Sequence, residues 1–150
     1  MIKLVRTNSD NIDFINLVKK LDAYLKIIDG EDHAFYNQYN NIDVLKNVVV
    51  AYDKNIPVGC GAFKEYDECK VEIKRMFTLP KSRGQKVASQ ILNELEIWAS
   101  TLGYKAGILE TGKRQTVAVN FYTRQDYDII PNFGPYKNVS NSICFEKKLQ

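Results

Sequence analysis

A chain of 150 residues is long enough for one core and too short for a second catalytic domain. Hydrophobic residues make up 45% and charged residues 26%, with eight glycines and four prolines, which excludes a disordered or fibrous chain and leads us to expect one self-contained domain over residues 1–150. The formal charge of +3 is too slight to argue for a nucleic-acid surface and leaves room for a small anionic ligand.

Cys60, Cys69 and Cys144 are odd in number and form no C-x-x-C pair. That argues against a disulfide framework or a zinc knuckle, and for a reducing compartment in which each is a small buried apolar residue. Met1 to Arg6 contains no apolar leader region, and no run approaches the ~20 apolar residues of a membrane span. A cytoplasmic protein with no membrane partner is expected.

In chain order, Ile2 to Arg6 alternates like a strand. Thr7 to Asp10 then offers capping side chains to a helix whose apolar residues, from Ile12 to Ile28, recur at spacings of three and four and which Gly30 ends. A short helix over Asp32 to Tyr39 follows, with His33, Phe35, Tyr36 and Tyr39 giving it an aromatic side. Val48 to Tyr52 and Ile56 to Lys64 form a hairpin about the turn Asp53-Lys54-Asn55, and Tyr66-Asp67-Glu68 turns the chain into a third antiparallel strand, Cys69 to Leu79. From Ser82 to Leu102 the period becomes helical, with Gly103 as the stop. Lys105 to Thr111 reads as a strand, Arg114 to Arg124 as a helix, and Tyr127 to Ile130 and Ser142 to Leu149 as the last strands.

The order is therefore β α α β β β α β α β β, a mixed α/β chain. The helix between the strands ending at Leu79 and beginning at Lys105 implies parallel pairing there, and helices should cover both faces of the sheet.

The segment from Phe77 to Ala88 carries the clearest chemical signal. A strand stops at Pro80 and a basic, glycine-containing turn opens a long helix, whose unpaired N–H groups and partial positive charge suit a phosphate. Lys81, Arg83 and Lys86 oppose the helix dipole unless an anion neutralises them. Neither G-x-x-x-x-G-K-[ST] nor G-x-G-x-x-G occurs, which argues against an NTPase or a nicotinamide enzyme.

This segment resembles the GCN5-related N-acetyltransferase (GNAT) family, whose signature is a Pro just past a central strand and then [QR]-x-x-G-x-[GA], matched here by Arg83-Gly84-Gln85-Lys86-Val87-Ala88. Lys86 stands where the family usually has Gly, and its side chain either crowds the pyrophosphate or adds a cation to it. A second block, Leu109-Glu110-Thr111 followed by Gln115 to Tyr127, resembles the family's next strand and N-x-x-A-[IV]-x-[LF]-Y-x-[KR]-x-G-[FY]. Ala118, Val119, Phe121, Tyr122, Arg124 and Tyr127 fit, while Gln115 replaces Asn and Asp126 replaces Gly.

The resemblance implies a mixed, mostly antiparallel sheet of about seven strands and acetyl-CoA as co-substrate. It places the pantetheine arm on the main chain of Met76, Phe77 and Thr78, while the helix start seats the pyrophosphate on the backbone amides of Gly84, Gln85, Lys86, Val87, Ala88 and Ser89, with Arg83, Gln115 and Tyr122 also at the cofactor. It implies Tyr122 as the acid that protonates the departing thiolate and Glu110 as a base, with direct transfer to an amine.

Glu72 is the rival base. Glu72, Lys74 and Arg75 are costly on a central strand and should line a wet cleft or pair with one another. His33 is the only histidine, so any Ser-His-Asp or Cys-His arrangement would have to include it. It reads as a surface or substrate-wall residue. Asp29, Glu31 and Asp32, beside His33, Phe35 and Tyr36, together with the turn-rich segment Pro131 to Tyr136, are candidates for recognising the acceptor, a small amine, amino acid or peptide N-terminus. A non-catalytic acyl-CoA-binding module is the alternative, a nucleic-acid-binding domain a weaker one, and a homodimer is left open.

Overall fold

The computed structural model describes residues 1–30 and 45–150. The expected helix over Asp32 to Tyr39, with His33 and its acidic and aromatic neighbours, lies outside the described residues. Strand β1 (Ile2–Thr7) leads to helix α1 (Ile12–Asp29), which Asn11 caps by accepting a hydrogen bond from the Phe14 N–H at 2.9 Å. At its far end Gly30, at φ 55°, donates its N–H to the Lys26 carbonyl.

Strands β2 (Asn47–Asp53) and β3 (Ile56–Glu65) form the expected hairpin. Lys54 and Asn55 both take positive φ at its turn, as a two-residue connection with the sheet's twist requires. Strand β4 (Lys70–Thr78) follows a turn in which the Asp67 carboxylate accepts from the N–H groups of Cys69 and Lys70, each at 2.8 Å. A single 3₁₀ turn (Pro80–Ser82) then precedes helix α2 (Val87–Thr101), strand β5 (Ala106–Gly112), helix α3 (Thr116–Arg124), strand β6 (Asp128–Ile130), a second 3₁₀ turn (Gly134–Tyr136) and strand β7 (Ser142–Lys148).

The seven strands form one sheet in the order β1-β2-β3-β4-β5-β7-β6, antiparallel throughout except for the parallel pair β4/β5. The crossover through α2 dictates that exception. Strand alternation divides the core between the two faces. Val48, Val50, Cys60 and Ala62 pack against Phe14, Leu17 and Leu21 of α1. Val49, Val58, Phe63 and Ile73 pack against Ile91, Leu92 and Leu95 of α2, with Leu109 and Phe145 from the later strands. Among the described residues no helix is long and apolar enough to cross a membrane.

Two expectations are corrected. The helix expected from Ser82 begins at Val87, because Gly84 (φ 86°) and Lys86 (φ 61°) both take left-handed backbone conformations through which an α-helix cannot propagate. Lys81 and Arg83 therefore precede the helix rather than occupy its first turn. Cys60 and Cys144 are buried, but Cys69 sits exposed in the turn before β4.

Close approach of α2 to the sheet depends on Gly59. A Cβ built there would lie 2.9 Å from the Phe77 carbonyl oxygen, 3.0 Å from Ile91 Cδ1 and 3.1 Å from Val87 Cγ1. The first of these is backbone of the neighbouring strand and cannot step aside. Gly59→Ala should cost about 1–3 kcal/mol, the usual penalty for overpacking a tight core. Thermal denaturation should show a melting temperature lower by several degrees, and an unchanged value would contradict the packing argument.

Candidate active site

The site begins with a break in the sheet. Strands β4 and β5 pair only at Lys70↔Ala106, Val71↔Gly107 and Glu72↔Ile108. Beyond Glu72 the two strands part, and two adjoining cavities open there. The first, of about 120 Å³, is walled by Glu72, Lys74, Arg75, Glu110 and Thr111, with Leu21 and Leu25 of α1 above it. The second, of about 200 Å³, follows Met76, Phe77 and Thr78 toward Arg83 and Ala88, with Tyr24 of α1 and Phe121 of α3 opposite. Leu21, Met76, Gln115, Ala118 and Tyr122 border both. Tyr122 is the one side chain of these five with a titratable proton.

Tyr122 reaches that position from α3, whose apolar side packs on the sheet. It is 7% exposed, in edge-on contact with Phe121 and Tyr127 and tilted against Phe145. Among the described residues nothing hydrogen-bonds its hydroxyl. Burial pushes the phenol well above its ordinary value of 10.0, so the group is a neutral O–H donor across the range in which proteins work.

The charges of β4 are organised by a β-bulge. Ala62 stands opposite Lys74 and Cys60 opposite Phe77, so β4 carries one extra residue there, and Arg75 adopts φ 60°. Lys74 and Arg75 are consecutive, yet both side chains serve the α1 face of the sheet. Lys74 Nζ lies 3.6 Å from Glu72 Oε2, and Arg75 Nη1 donates to Asp22 Oδ1 of α1 at 2.8 Å. Glu72, Lys74 and Arg75 are all less than 10% exposed. The cleft and the internal pairing expected for them both occur. Burial lowers the Lys74 pKa, and the charges of Lys64 and Arg75 lower it further against the opposing effect of Glu72.

Glu110, on β5, accepts a hydrogen bond from Ser142 Oγ of β7 at 2.6 Å. Both Glu110 and Glu72 bear on Cys144. Burial first, and then those two carboxylates, hold its thiol up at about 11 despite a backbone hydrogen bond from Phe133. The two candidate bases thus share one neighbourhood at the wall of the first cavity.

At the far end of the second cavity, α2 begins without a side-chain cap, Lys86 occupying the cap position. The first N–H groups of a helix have no intrahelical partner, so those of Val87, Ala88 and Ser89 are left as donors beside the cationic turn. The Arg83 guanidinium lies 5.5 Å from the centre of the Tyr24 ring, and Gln125 Nε2 ties the end of α3 to Ser89 Oγ at 3.3 Å. Among the expected cofactor residues, Met76, Phe77, Thr78, Arg83, Ala88, Gln115 and Tyr122 line the second cavity, whereas Gly84, Gln85, Lys86, Val87 and Ser89 form the turn and helix start beyond it. Leu21, Asp22, Tyr24, Thr111 and Ser142 also belong to the site and carry no local sequence signal for it. Among the described residues no group of His, Cys, Asp and Glu could hold a metal ion.

A family model described as the acetyltransferase (GNAT) domain matches residues 45–129, more than half of the chain. The chain belongs to the GNAT acetyltransferases. An IAA acetyltransferase from Azospirillum brasilense is 31% identical over 137 residues, 90% of each sequence. A solved structure from Klebsiella pneumoniae is 28% identical, with a TM-score of 0.84 over 100% of this chain and 99% of that one. A GNAT family acetyltransferase from Elizabethkingia anophelis, solved with acetyl-CoA bound, shares the fold at 20% identity and a TM-score of 0.70, over 99% of this chain and 98% of that one.

Within this GNAT domain Lys86 has a consequence for stability that does not depend on ligand. A left-handed conformation costs an L side chain about 1–2 kcal/mol, of which glycine's extra freedom in the unfolded chain offsets about 0.5–1 kcal/mol. Lys86→Gly should therefore stabilise the fold by up to about 1.5 kcal/mol and raise the melting temperature by up to roughly 3–6 °C. A lower melting temperature would show that the Lys86 side chain makes a stabilising contact larger than its backbone strain.

Proposed function

We propose that this protein is a single acetyltransferase domain over residues 1–150 that transfers the acetyl group of acetyl-CoA directly to a primary amine. The observation that carries this reading is the meeting of the two cavities at Tyr122. One cavity is a groove along β4 ending at uncapped helix amides, and the other is smaller and flanked by carboxylates.

The residues suit acetyl-CoA as a substrate. Phosphate oxygens find donors at the start of α2 and cations in Lys81, Arg83 and Lys86, which supports seating the pyrophosphate on the amides from Gly84 to Ser89. The edge of β4 that has left β5 offers main-chain groups at Met76, Phe77 and Thr78 to the amide-bearing arm. An acetyl group brought to the junction of the cavities would stand beside Tyr122.

Transfer then requires the amine to lose a proton, its nitrogen to bond to the acetyl carbon, and the carbon–sulfur bond to break with its electron pair going to sulfur. Glu110, through water, takes the amine's proton, with Glu72 as the alternative. Tyr122 returns a proton to the sulfur. Its raised pKa keeps that proton in place beforehand, and the same burial that raises the phenol also raises the basicity of a thiolate formed beside it.

Two experiments test this. Gly84 has φ 86°, which proline cannot adopt, and proline would also remove a donor N–H, so calorimetry on Gly84→Pro should show a large loss of CoA affinity. Unchanged CoA binding in the folded variant would reject the placement. For the proton path, Tyr122→Phe deletes only a hydroxyl, and turnover should fall by roughly 10²- to 10⁴-fold with fold and CoA affinity intact. Glu110→Gln and Glu72→Gln should be compared across pH. Rate falls toward acid as the base is protonated, so the true base is the one whose loss removes that acidic limb. Near-normal turnover by Tyr122→Phe with chemistry rate-limiting would overturn its role, and CoA binding without thiol release for any amine would leave a binding module.

A further inference from the structure

We infer that the acceptor held in the first cavity carries a carboxylate as well as an amine, a small amino acid being the class that fits. The inference rests on the acetyl-transfer reading above and narrows it.

Four charged side chains wall this cavity of about 120 Å³, and they are not of one sign. Glu72 and Glu110 both bear on Cys144, Lys74 pairs with Glu72, and Arg75 reaches Asp22 of α1. A bulky apolar amine would desolvate Lys74 and Arg75 and bond neither. A simple alkylammonium would meet the carboxylates but would be pressed against Lys74 and Arg75. A plain carboxylate would suffer the reverse. A zwitterion meets both signs with the opposite charge.

The spacing agrees. Lys74 Nζ and Glu72 Oε2 are 3.6 Å apart, so a cation and an anion of the wall lie side by side, as do the carboxylate and ammonium that flank one carbon of an amino acid. Lysine has three N–H donors and arginine five, so each can hold an internal carboxylate and a ligand oxygen together. Bidentate or charge-assisted bonding of this kind is what such donors do best.

Thr111 supplies an independent sign that the occupant is polar. Its side chain borders the same cavity, Thr111 is 4% exposed, and its hydroxyl oxygen is buried with no hydrogen-bond partner among the described residues. Such a group is costly to leave unpaired, and a nitrogen or oxygen of a ligand in the cavity satisfies it.

The test is thiol release from acetyl-CoA with a panel of free amino acids, each matched by its own α-carboxamide. Removing the carboxylate's charge makes the amine easier to deprotonate, so the intrinsic bias favours the amide. The wild-type protein should nonetheless prefer the free acid in kcat/KM by roughly tenfold to hundredfold, the worth of a hydrogen bond to a charged group. Lys74→Gln should bring that ratio toward one and Lys74→Arg should restore it. Amides used as well as the acids by the wild type would overturn the proposal without recourse to any variant. If neither form releases thiol, calorimetry with the same pairs distinguishes the two readings. Selective binding of the acids would sustain this proposal while the transfer reading fails, and no binding of either would overturn both.

Discussion

The parting of β4 from β5 is the constraint on which the rest of this molecule depends. Three residue pairs hold the strands together, and after Glu72 they diverge, so the middle strand of a seven-stranded sheet is left with an open edge. Backbone donors and acceptors in a protein interior need partners, and at this edge the sheet itself does not provide them. That deficit makes room for a ligand to act as the missing strand. It also explains how glutamate, lysine and arginine are tolerated at the centre of the sheet, since the cleft gives them both polar neighbours and one another.

Building such a cleft requires precise placement of its two sides, and small residues and backbone irregularities supply it. Gly59 and Gly61 remove side chains where α2 lies on β3, which lets the helix sit close to the sheet and brings its first turn to the end of β4. The bulge at Arg75 turns a basic side chain toward α1, where Asp22 receives it. Left-handed conformations at Gly84 and Lys86 delay the helix until Val87, so its amides point from a defined place. The Arg75 bulge lines the first cavity, and the left-handed turn at Gly84 and Lys86 follows Arg83 of the second.

Much of this arrangement was legible from local pattern. Strand and helix periods located the strands and α-helices of the described residues, and the helical crossover implied the one parallel pair. Three charged residues within four positions of a central strand, Glu72, Lys74 and Arg75, pointed to a cleft, because such residues are seldom buried there for packing. What the pattern could not supply was anything decided by distance or by backbone twist. A run of helix-compatible residues from Ser82 does not reveal that Gly84 and Lys86 are left-handed. The pairing of Asp22 with Arg75 spans 53 positions, and that of Ser142 with Glu110 spans 32, so neither has a spacing to read. Thr111 reads as an ordinary strand residue until its surroundings are known.

The bond from Ser142 to Glu110 also bears on where this family's identity resides in the chain. The segment that matches the family model ends at residue 129, before β7 begins at Ser142. Yet β7 pairs with β5 along its whole length, from Ala106↔Lys148 to Gly112↔Ser142, and its first residue holds one of the site's carboxylates. The part of the sequence by which kinship is recognised and the part that finishes the wall of the first cavity are therefore different. Change in the later segment can reshape that wall while leaving the family signature untouched.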